Sequence, residues 1–145
     1  MKRFVVLVAV LVTVNGLSDE LINEFKEKVQ TIGMQCAEQE SATDEDIQAL
    51  IKHEAPVTHG GKCTIFCTME KLNIIKSDGT IGEGDVEWLN KAKEDDSDFY
   101  EKLQSVHESC KETVEIAPDK CDTAFNLAKC AKEAGKKAGI DVGEA

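Results

Sequence analysis

Apolar side chains recur along this chain at intervals of three and four, with charged residues between them, a spacing that predicts successive amphipathic helices. Leu21, Phe25, Val29, Ile32 and Cys36 form the first stripe, and Ser18 or Asp19 is placed to cap it. Thr43-Asp44-Glu45-Asp46 reads as a capping box that opens a short second helix carrying Ile47, Leu50 and Ile51. Pro56 with Gly60-Gly61 marks a loop. A third helix is expected from Lys62, with Cys63, Phe66, Cys67 and either Met69 or Ile74 on its apolar side. Ser77-Asp78-Gly79-Thr80, extended through Gly82 and Gly84, is a turn, after which Asp85 caps a fourth helix holding Val86, Trp88, Leu89 and Ala92. Asp95-Asp96-Ser97 starts a fifth, along which Phe99, Leu103, Val106 and Cys110 share one face. Pro118 suits the first position of a last helix, which carries Cys121, Ala124, Phe125 and Ala128 and ends near Gly135. No stretch sustains the period-2 alternation of a strand. The expected fold class is all-α, with about six helices.

Ahead of the first stripe the pattern changes. Met1-Lys2-Arg3 is followed by an apolar run from Phe4 to Val14 broken only by Thr13, then by the small residues Gly16 and Ser18. That order is a secretory signal peptide, and the run is shorter than the ~20 residues a membrane span needs. Residues 1–18 are therefore read as a leader, cleaved after Gly16 or after Ser18, and residues 19–145 as a single domain. With no second apolar stretch, stable membrane insertion is not expected, and the protein is placed outside the cell.

Removing Lys2 and Arg3 leaves 15 basic against 28 acidic residues, a net charge of −13. Such a surface repels nucleic acid and anionic lipid headgroups, and it favours solubility. The basic pair Lys136-Lys137 sits at a helix end and is better explained as a solvated terminus than as a phosphate site.

The six cysteines narrow the picture most. Cys36, Cys63, Cys67, Cys110, Cys121 and Cys130 are spaced C-x26-C-x3-C-x42-C-x10-C-x8-C. An even set behind a secretory leader is a disulfide framework. Six thiols allow 15 connectivities. Cys63 and Cys67 lie on one helix face, so pairing them with each other would strain the backbone; Cys121 and Cys130 are likewise expected to meet different neighbours. In its x3 and x8 gaps, its intermediate gaps and its leader, the chain resembles the insect odorant-binding proteins, the pheromone- and general-odorant-binding family of six-cysteine type. The resemblance spans the whole mature chain. It implies the pairs Cys36–Cys67, Cys63–Cys121 and Cys110–Cys130, with the helices stapled around an internal apolar cavity. It also implies a small hydrophobic ligand, an odorant or pheromone carried through sensillar lymph, with a chemosensory receptor as the downstream partner.

A cavity costs stability in proportion to its volume, and three bridges worth roughly 3–4 kcal/mol each on the chain-entropy model make a hollow core affordable. Enclosing about 300 Å² of ligand apolar surface yields about 7 kcal/mol, low-micromolar binding before entropic costs. The candidate ligand-binding residues are Phe66, Met69, Trp88, Leu89, Phe99, Leu103, Val106 and Phe125. Each, taken alone, is also explained by ordinary helix packing. Trp88 stands out as a large contact face that brings a hydrogen-bond donor. His53, His59 and His107 are read as surface residues in preference to a pH-sensitive lid, which the resemblance attributes to some members of the family. The tail from Lys136 is expected to hang free rather than to plug the cavity through Ile140 and Val142.

Other chemistry is not supported. Zinc would require free thiols, and no C-x2-C pair is present. Asp78-Gly79-Thr80-Ile81 with Asp85 imitates part of a calcium loop, but the register puts Ile74 and Lys76 at ligand positions. No G-x-S-x-G elbow, no flanked histidine–aspartate pair and no desolvated acid pair occurs. The reading is a non-enzymatic carrier without metal or cofactor. The alternative is a secreted effector, a venom, seminal or defence protein, acting through a protein partner on the same scaffold.

Overall fold

The computed structural model describes residues 17–140; of the leader read as residues 1–18, residues 1–16 lie outside the described residues, as does Val142. Six helices and no strand occur among the described residues: α1 Asp19–Gln39, α2 Asp44–Ile51, α3 His59–Lys71, α4 Val86–Asp95, α5 Ser97–Thr113 and α6 Lys120–Ala138. The expected all-α class holds.

Most starts are set by side-chain caps, which satisfy amides that have no intrahelical partner. Ser18 accepts from the Leu21 N–H, Asp85 from Trp88, Asp96 from Asp98 and Phe99, and Asp119 from Cys121. The reciprocal box of Thr43 and Asp46 opens α2. Three boundaries differ from the expectation. Gly60 and Gly61 belong to α3, which Thr58 caps; a Cβ on Gly61 would meet Asp46 Oδ1 at 2.6 Å and Pro56 Cβ at 2.5 Å, so these glycines serve close approach rather than a loop. Pro118 precedes the Asp119 cap instead of occupying the first helical position. The last helix continues past Gly135 to Ala138 and ends on Gly139, left-handed at φ 81. There the Ile140 N–H bonds the Gly135 carbonyl at 2.8 Å and the Gly139 N–H bonds that of Lys136 at 3.1 Å, a Schellman closure. It turns Ile140 inward. That residue is 4% exposed, so the tail does not hang free at Ile140.

All three disulfides take the pairing that the resemblance implied. Cys36–Cys67 ties the end of α1 to α3, Cys63–Cys121 ties the starts of α3 and α6, and Cys110–Cys130 ties α5 to α6. Cys63 and Cys67, one turn apart, thus lead to different helices. The five longer helices pack in a closed ring: α1 on α3, α3 on α6, α6 on α5, α5 on α4, and α4 back on α1, with α2 seated on α3. The bridges brace the arc α1–α3–α6–α5. The contacts of α4 with α5 and with α1 carry no disulfide; α4 meets α1 through Trp88, Phe25 and Leu21, with the ion pairs Lys28–Asp85 and Lys91–Glu24 across the joint.

Candidate functional site

The apolar interior is not one cluster but two. Val106, Cys110, Leu127 and Ile140 form the first, where α5 meets α6 and the chain's end folds back. Leu21, Trp88 and Ala92 form the second, where α4 closes on α1. Phe99 and Leu103, both on α5 and both half-buried, touch the two clusters at once. A small domain ordinarily has one contiguous core; here the residues joining two cores retain accessible surface.

The cap chemistry positions this face. Asp96 fixes the first turn of α5 and so the direction of Phe99. Asp85 fixes α4: its carboxylate accepts from the Trp88 N–H and pairs with Lys28. Burial opposes the Asp85 charge, but the Lys28 ammonium and the Trp88 amide outweigh it and hold the carboxyl below its usual pKa. The Trp88 ring lies 4.6 Å from that of Phe25, tilted by 39°. Its Nε1 donates to the Leu21 carbonyl at 3.4 Å, so the indole donor is engaged within the protein.

Of the eight residues singled out from the sequence, Val106 and Trp88 are buried members of the two clusters, and Met69, Leu89, Phe99 and Leu103 pack half-buried against them. Phe66 and Phe125 are half-buried but belong to neither. Phe125 lies beneath two ammonium groups, Lys62 at 5.1 Å and Lys129 at 4.8 Å, an arrangement that stabilises a cation over a ring face. The ligand-binding set read from the sequence leaves out Ile74, Ile81 and Ile140, which pack in the first cluster, and Phe25, which packs in the second; the sequence places Phe25 and Ile74 only on helix faces, and Ile140 only as a plug disfavoured against a free tail. Ile74 and Ile81 flank the turn, drawn together by the bridge of Ile75 with Ile81. An isoleucine directly after a helix-ending glycine was the available signal for Ile140.

Open clefts also occur elsewhere on the described surface. One, of about 610 Å³, lies between the start of α1 and the end of α4, and its rim includes Glu20, Glu24, Glu94 and Asp95. Another, of about 300 Å³, lies between α1 and α2 beside Met34 and Ile47. Neither is lined by the eight predicted residues except that the first abuts Leu21 of their cluster. A further grouping, His59 with Cys63 and Cys121, gathers possible metal donors within 4.8 Å, but both sulfurs are consumed by their mutual disulfide. His59 instead bonds Asp119 at 2.6 Å, and this contact with the Cys121 amide holds the Asp119 carboxyl below its usual pKa.

The family model for the PBP/GOBP family matches residues 18–134. General odorant-binding protein 19d of Drosophila melanogaster is 32% identical over 111 residues, 76% of this chain and 73% of that protein. General odorant-binding protein 28a of the same fly is 26% identical over 140 residues, 90% of this chain and 95% of that one. Among solved structures, odorant-binding protein dmelOBP28a superposes with a TM-score of 0.66 at 25% identity, covering 81% of this chain and 98% of that one. The fatty acid binding protein OBP56a from the oral disk of the blowfly Phormia regina superposes at 0.62 with 30% identity, covering 83% and 96%.

Proposed function

The chain belongs to the PBP/GOBP family, and from that premise we propose that it is a secreted carrier which reversibly binds small hydrophobic molecules and moves them through extracellular fluid toward chemosensory receptors. The carrying observation is the divided core: two buried clusters on a closed ring of helices, bridged by half-buried Phe99 and Leu103. The side chains of the two clusters are mainly aliphatic, so a ligand lodged between them is held by apolar contact and dispersion rather than by charge. A fatty-acid-binding neighbour of similar shape supports an elongated ligand.

Secretion rests on the leader, with Leu17 and Ser18 retained in the mature chain: Leu17 packs against the Trp88 cluster, and Ser18 caps α1 while its N–H bonds Asp95 at 2.7 Å. Cleavage after Gly16 preserves both contacts. The test of the carrier reading is displacement of bound phenylnaphthylamine by alcohols, esters and fatty acids. Saturable displacement supports it; none, with a protein partner captured instead, favours the effector reading.

A further inference from the structure

His107 lies on α5 one turn beyond Leu103 and next to Val106, at the edge of the apolar face described above. Its Nε2 is buried, and no donor or acceptor among the described residues meets it. A buried polar atom without a partner loses its hydration and regains nothing, so such atoms are rare in folded proteins and call for a missing partner. The adjacent positions on its own helix supply none: Leu103 and Val106 are apolar, and Cys110 is bonded in a disulfide. From this juxtaposition we propose that His107 is the polar anchor of the binding site, its Nε2 hydrogen-bonding the single oxygen function of an otherwise hydrocarbon ligand. The inference rests on the carrier reading and deepens it by naming the ligand class: an aliphatic chain ending in a hydroxyl, carbonyl or carboxyl group. A neutral imidazole offers either a donor or an acceptor at Nε2 according to its tautomer, so one residue serves all three. Selectivity then comes from position, since the hydrocarbon part is read by Leu103 and Phe99 and the oxygen by a group one turn further along the same helix.

Displacement of phenylnaphthylamine by dodecanol, dodecanal, dodecanoic acid and dodecane tests the proposal. The wild-type protein is expected to bind the three oxygenated compounds more tightly than dodecane by about 2- to 10-fold, the factor one net hydrogen bond supplies. His107→Leu should erase that preference by weakening the oxygenated ligands while leaving dodecane unchanged. His107→Gln, which keeps a hydrogen-bonding group at similar reach, should restore part of it. If the Leu variant does not fold, the Nε2 nitrogen resonance of wild-type protein decides: it should shift with dodecanol and not with dodecane. Equal affinities for all four compounds, or a preference that survives in His107→Leu, overturn the role of His107 while leaving the carrier reading intact. Displacement by none of them overturns both.

Discussion

Asp46 shows how one side chain sets the position of a helix it does not belong to. Fully buried, its carboxylate accepts from the Thr43, Val57 and Thr58 amides and from the Thr58 hydroxyl. It closes the cap of α2 and grips the segment that starts α3, the helix bearing two disulfides. Burial pushes its pKa upward, but the Thr58 hydroxyl and the three amides outweigh that and hold it far below the usual range. A carboxylate depressed in the folded state contributes stability that is present above the unfolded value of about 4 and is lost as pH falls through and below it. Asp46→Asn should therefore lower stability by about 1–3 kcal/mol at pH 7, and the gap from wild type should narrow in acid. Melting curves followed at neutral and acidic pH check this; a constant gap contradicts the account. Trp88, by contrast, is 8% exposed and closes α4 on α1, so Trp88→Ala should cost about 3–5 kcal/mol of folding stability. The sequence singled Trp88 out as a ligand contact; its indole also clasps α4 to α1.

At the scale of elements, helix periodicity and cap residues were legible: Thr43, Asp85 and Asp96 were read as starts and act as such. The failures share a cause. Gly60-Gly61 looks like a loop because glycine is a poor helix former, yet here its missing Cβ admits Asp46 and Pro56 against the first turn of α3. Periodicity also identifies apolar residues without saying which neighbour they meet, which is why Phe66 and Phe125 could not be told from Phe99 and Leu103. Disulfide pairing was legible only through family resemblance, since spacing excludes partners but does not choose them. Two predictions belong here. Replacing Cys63 and Cys121 together by Ser should remove roughly 4 kcal/mol, seen as a large fall in the urea midpoint; an unchanged midpoint would mean that α3 and α6 hold without their bridge. The intact mass of the secreted protein should correspond to a chain beginning at Leu17, and a recombinant chain beginning at Asp19 should melt lower for want of the Ser18 cap, worth about 1 kcal/mol. A mature mass starting at Asp19 contradicts that reading.

At the scale of the molecule, the surface and the interior divide the work. The net charge of −11 favours repulsion between copies, and the clefts that open on that surface are lined largely by carboxylates or lie away from the divided core. The interior is a ring closed by bridges along one arc and by the Trp88 contact at the other. Ile140 seals the side where α5 meets α6, so Ile140→Ala should destabilise the fold by about 2–4 kcal/mol, measured by chemical unfolding. The account stands or falls on where a guest sits. Intermolecular nuclear Overhauser effects between dodecanoic acid and the labelled protein measure that directly. The expected result is strong contacts from the alkyl chain to Leu103 methyls and the Phe99 ring, at one ligand per protein. Contacts confined to Met34 and Ile47 at the surface cleft, with none to α5, would contradict it.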